Sequence, residues 1–72
     1  MISPGYKSIE LVGTSEKGWK EAVLEAYRVA KQTVYGIRTI QILETDVKIK
    51  EDLDDKFVFR ARIRINFQLA ER

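Results

Sequence analysis

Between Phe57 and Leu69 the sequence alternates without a break. Phe57, Phe59, Ala61, Ile63, Ile65, Phe67 and Leu69 take the odd positions, and Val58, Arg60, Arg62, Arg64, Asn66 and Gln68 the even ones. Successive side chains point to opposite faces of a strand but turn by about 100° on a helix. A period of two sustained this long therefore dictates a strand with one apolar and one largely polar face. The apolar face demands a hydrophobic covering. The other face sets Arg60, Arg62 and Arg64 in a row, and that row needs counter-charges, a ligand or solvent.

The preceding residues can supply both. Tyr6 to Val12 reads as a first strand, with Ile9 and Leu11 on one face and Ser8 and Glu10 on the other. Gly13-Thr14-Ser15 ends it, with Ser15 placed as an N-cap and Glu16 beside the positive end of the helix dipole. The third residue after Ser15 is Gly18, so the reciprocal acid of a capping box is missing. From Glu16 to about Tyr35 the period becomes 3.6, and Trp19, Ala22, Val23, Ala26, Ala30, Thr33 and Val34 form one stripe. The small alanines allow a close approach to a sheet. Leu24 and Tyr27 lie off the stripe, suited to solvent or to a contact between subunits. Gly36 is placed as a helix-ending residue.

Ile37 to Lys50 reads as a second strand whose apolar parity switches: Ile40 and Ile42 are even, Val47 and Ile49 odd. Such a switch predicts a β-bulge, or a long strand that uses both faces. Residues 51–55 form an acidic connection of hairpin length. The predicted fold is α+β with element order β-α-β-β, one helix laid on a three-stranded antiparallel sheet.

Length makes assembly an expectation. A single domain spanning residues 1–72 has no disulfide or Cys/His metal centre to reinforce it, because both residue types are absent. Domains this small bury only about 60% of the surface exposed by the unfolded chain. A homo-oligomer is the expected supplement. No apolar run approaches the roughly 20 residues of a membrane span and no signal-peptide apolar segment is seen, so no membrane protein is expected, and the absence of cysteine fits a reducing, cytoplasmic location. Without His, Cys or a phosphate-cradling glycine loop, the chain offers little from which to build an active site, and no enzyme is expected.

The net charge of +2 conceals two opposed segments. Glu44 to Asp55 carries six acidic residues against two lysines, and Lys56 to the end carries five basic residues against Glu71. If the last two strands form a hairpin with Ile49 opposite Phe57, then Asp46 faces Arg60 and Glu44 faces Arg62. The arginine row then has its own counter-charges. Other readings of the row are nucleic-acid binding, a lined cavity or capture of an anionic ligand. Sheet-surface RNA binders present aromatics for base stacking, whereas Phe57, Phe59 and Phe67 share the apolar parity here. Glu44 and Asp46, two apart on a strand, project to one face and could instead ligate a hard cation through oxygen. Residues 51–55 lack the spacing, glycine and terminal glutamate of an EF-hand loop.

The β-α-β-β order, Leu11-Val-Gly-Thr-Ser15 running into a helix with Trp19, and a last strand ending Ile65-Asn-Phe-Gln-Leu69 together resemble the dodecins, from Tyr6 to Leu69. The resemblance implies a hollow homododecamer whose curved sheet wraps the helix. It also implies that flavin-type members hold paired isoalloxazine rings at two-fold interfaces as stores, not catalysts. Such members stack the ring on a tryptophan early in the second strand, which corresponds to Thr39, and hydrogen-bond it with a glutamine early in the third, which corresponds to Arg60. Both positions depart from the flavin pattern. Base–aromatic stacking contributes about 1–3 kcal/mol per ring, so Thr39 implies flavin affinity weaker by an order of magnitude or more. Trp19 cannot stand in, since it heads the helix stripe. A calcium-dodecin subgroup also lacks that tryptophan; it resembles this chain at Ile37-Arg38, Glu44-Thr-Asp46, Lys56 and Phe59-Arg60. The resemblance adds weight to Glu44 and Asp46 as cation ligands.

Overall fold

A computed structural model describes residues 5–50 and 56–69. The acidic connection at 51–55 lies outside the described residues. The order is β1 (Tyr6–Ser15), α1 (Trp19–Lys31), β2 (Ile37–Ile49) and β3 (Phe57–Gln68). The alternating strand is the centre of the sheet: β3 pairs antiparallel with β1 on one side and with β2 on the other. Its apolar parity builds the core, in which Ala61, Ile63 and Ile65 are buried against Ala22, Ala26 and Ala30 of α1. Ile9, Leu11, Val23, Ile37, Ile40 and Phe67 close around them.

The parity switch in β2 is a pair of register irregularities. Ile49 to Glu44 pair with Phe57 to Arg62, the register then slips past Leu43, and it slips again past Arg38. Each slip lets one residue go unpaired and turns the following side chains over. Even-numbered Ile40 thereby meets Ile65, while odd-numbered Val47 meets Phe59.

Both ends of the helix differ from expectation. Ser15 is the last residue of β1, paired with Phe59, so it cannot cap α1. Its hydroxyl instead accepts the Lys17 N–H at 2.9 Å, and Gly18 precedes the helix with no side-chain cap. The helix stops at Lys31, where the Ala30 carbonyl accepts from Thr33 at 3.1 Å and from Val34 at 2.9 Å in a closing turn. Gly36 therefore leads into β2 rather than ending α1. Its φ of 74° requires a left-handed conformation, and its carbonyl accepts the Gln68 N–H at 3.0 Å.

The molecule is long: 58 × 20 × 14 Å with a radius of gyration of 15.2 Å. A compact chain of this length would have a radius near 11 Å. The elongation has a structural origin. The 13-residue helix lies on β1 and β3 and has no extended packing against β2. The β2–β3 hairpin thus runs past the helix as an arm that leaves Ile49 67% exposed, and Ile42, on the strand the helix does not cover, is 57% exposed.

Candidate functional site

The polar face of the sheet carries two neighbouring sets of ion pairs. The alternation of β3 sends Arg60, Arg62 and Arg64 to this face, and the β2 register sets Asp46 and Glu44 opposite the first two. Arg60 and Asp46 form a two-bond fork, Nε to Oδ1 at 2.7 Å and Nη2 to Oδ2 at 2.6 Å. Arg62 reaches Glu44 at 3.2 Å and, across β3, Glu10 of β1 at 3.0 Å. Arg64 holds the other Glu10 oxygen at 3.1 Å. Val12, Glu44, Asp46, Arg60 and Arg62 line an open concavity of about 110 Å³.

The arginine row therefore has its own counter-charges, as the hairpin register predicts. It is not a free basic stripe of the kind a polyanion recognises. Glu10 was the residue that sequence reasoning left out. The alternation of β1 already placed it on the polar face, but only the β1–β3 register, with no short turn to fix it, sets it between Arg62 and Arg64.

These bonds favour the charged form of two of the carboxylates, Glu10 and Asp46. Hydrogen bonds from Arg64 and then Arg62 pull Glu10 below the usual glutamate range, and the Arg60 fork does the same to Asp46. Lys50 lowers Glu16 in a separate ion pair beside the helix start. The same contacts raise Arg60, chiefly through Asp46, and Arg62, chiefly through Glu44. Carboxylates with depressed values stabilise the fold fully above the unfolded carboxylate range and lose that contribution as pH falls through the depressed values. Melting temperature is accordingly expected to stay flat from about pH 7 to 5 and to drop below about pH 4. A thermal melt at each pH checks this; a decline already complete at pH 5 would contradict it.

The predicted site residues fall into two groups. Glu44, Asp46 and Arg60 come together at the concavity. Thr39 lies at the other end of the sheet, paired with Asn66, whose Nδ2 donates to the Thr39 hydroxyl at 2.9 Å. Nearby, Arg38 donates twice to Gln68 Oε1, at 2.9 and 3.2 Å. Asn66 lies six positions along β3 from Arg60, which at about 3.3 Å per residue is roughly 20 Å. One isoalloxazine ring cannot touch Thr39 and Arg60 of the same chain.

Trp19 also departs from expectation. Rather than heading a buried stripe it is 44% exposed, its ring edge-on to Phe59 with centroids 5.0 Å apart. Among the described residues, no three acidic, histidine or cysteine side chains gather as a metal-ligating group, and no helix is long and apolar enough to cross a membrane.

Comparison with known proteins agrees with this architecture. The dodecin family profile matches residues 6–70. A calcium dodecin of Mycobacterium tuberculosis is 31% identical over 64 residues, covering 89% of this chain and 87% of the relative. The crystal structure of a calcium dodecin from that organism, described as a calcium-chelating antigen with a calcium-binding site, superposes with a TM-score of 0.81 at 29% identity, covering 92% of this chain and 91% of the other. A variant of the Thermus thermophilus dodecin gives 0.87 at 28% identity, over 97% and 100% of the two chains. The Streptomyces coelicolor dodecin gives 0.86 at 26% identity, over the whole of both. The β-α-β-β order, the profile match over nearly the whole chain and the shared identity place this chain in the dodecin family of small, non-catalytic binding proteins.

Proposed function

We propose that the chain stores a small ligand or cation as a homododecamer and is impaired in flavin binding. The observation that carries this reading is the side-by-side placement of Glu44 and Asp46 at an open concavity, with the two flavin positions otherwise engaged. Carboxylate oxygens are the hard donors that Ca2+ prefers, so the chemistry of the donors fits. Their number does not complete a site, since Ca2+ takes six to eight oxygens. Water or a second chain would supply the remainder, and the ion would displace Arg60 and Arg62 from the two carboxylates. The exposed Ile42 and Ile49 of β2 support assembly, because a free monomer would leave that apolar surface in water.

Two measurements test the reading. Light scattering should return about twelve times the 8.4 kDa chain mass; a monomer would refute the assembly. Calcium should raise the melting temperature of the wild type, by roughly 1.4 kcal/mol of added stability at tenfold excess over Kd. Glu44→Gln with Asp46→Asn should abolish that rise. An unchanged calcium response in the double variant would remove these two residues from the site.

A further inference from the structure

Asp46 is held from two directions. Arg60 grips its carboxylate, while the indole N–H of Trp19 donates to its main-chain carbonyl at 3.1 Å. The same indole packs edge-on against Phe59, the neighbour of Arg60 in β3 and the register partner of Val47, which follows Asp46 in β2. One side chain at the start of α1 thus contacts both strands on either side of the Asp46–Arg60 pair. A second tether runs parallel to it: Lys50, beyond the end of β2, pairs with Glu16 in the turn before the helix. Elsewhere the helix has no extended packing against β2. Beside the packing of β3 on the helix, these two ties join the far part of β2 to the start of the helix. The indole N–H thus reaches β2 at Asp46, the register partner of Arg60 and a residue that lines the concavity.

We propose that Trp19 is the positioning residue of the Asp46–Arg60 pair, fixing the Asp46 backbone so that its carboxylate meets the concavity in one orientation. The coupling is reciprocal: loosening the pair disturbs the indole, and removing the indole loosens the pair. Phenylalanine at this position would keep the edge contact with Phe59 and lose the hydrogen bond, whereas alanine would lose both.

Trp19 is the sole tryptophan, so its emission reports on the pair directly. The test compares tryptophan emission and near-ultraviolet circular dichroism of the wild type, Arg60→Lys and Arg60→Gln. The expected result is a red shift and a weakened near-ultraviolet signal in Arg60→Gln, with Arg60→Lys between it and the wild type. Spectra superimposable on the wild type in both variants would overturn the proposal. Denaturant unfolding tests the same coupling from the other side: destabilisation by Trp19→Phe and by Arg60→Gln should be less than additive in the double variant, with circular dichroism confirming that each variant is folded. Additive effects would overturn the positioning role.

Discussion

Gly13→Ala is expected to detach the helix from the sheet and leave little or no folded protein. Gly13 is buried in β1 where α1 crosses it. A methyl group there would overlap the carbonyl oxygen of Ala22, and would lie 2.9 Å from the carbon of that carbonyl and 3.0 Å from Ala26 Cβ. The obstruction is main chain, so no rotamer change relieves it. The helix would have to lift, opening the contact of Ala22, Ala26 and Ala30 with Ile63 and Ile65 that forms the core. Overpacking a core typically costs about 1–3 kcal/mol, and backbone obstruction puts this case at or beyond the upper end. A single core of this size rarely supplies more than about 3–5 kcal/mol.

Gly18→Ala is the matched control. Nothing lies within 4 Å of a methyl group there, and its φ of 162° is extended backbone that alanine adopts. Denaturant unfolding of both variants checks the prediction. A Gly13→Ala midpoint within experimental error of the wild type would mean that the helix and β1 do not approach so closely.

The same contact separates what the sequence disclosed from what it did not. The period-two run named Ala61, Ile63 and Ile65 as core, because parity alone determines which face a side chain joins. The hairpin register followed from placing Ile49 opposite Phe57, and it brought Asp46 to Arg60 and Glu44 to Arg62. The parity switch in β2 announced the slip at Leu43. Long-range geometry was less legible. Glu10 depends on the β1–β3 pairing, which spans most of the chain and has no turn to fix its register. Ser15 satisfied a local preference for capping, but pairing with Phe59 extended the strand through it. Trp19 fitted a helical stripe by spacing, yet at the first turn it leans past the end of the core onto Phe59. The aromatic thus becomes a tie to the arm.

Flavin binding should respond most strongly to Thr39→Trp combined with Arg60→Gln. In the wild type the hydroxyl at position 39 is taken by Asn66 and offers no ring face, and Arg60 spends two donors on Asp46. Tryptophan at 39 would add a stacking surface, for which about 1–3 kcal/mol per ring is the usual scale. The resulting gain is roughly tenfold or more in affinity. Glutamine at 60 would replace a charged fork committed to Asp46 with an amide able to donate to a ring. These two positions lie roughly 20 Å apart along the sheet of one chain. Any ring that feels both changes must sit between chains, so the effect of the pair also tests assembly. Riboflavin fluorescence quenching measures it. The wild type is expected to quench weakly at micromolar flavin, Thr39→Trp more, and the double variant most of all, at unchanged particle mass by light scattering. Strong quenching by the wild type would show that flavin binds through a different geometry. A double variant that assembles normally and quenches no better would mean that residues 39 and 60 do not border a flavin site in this chain.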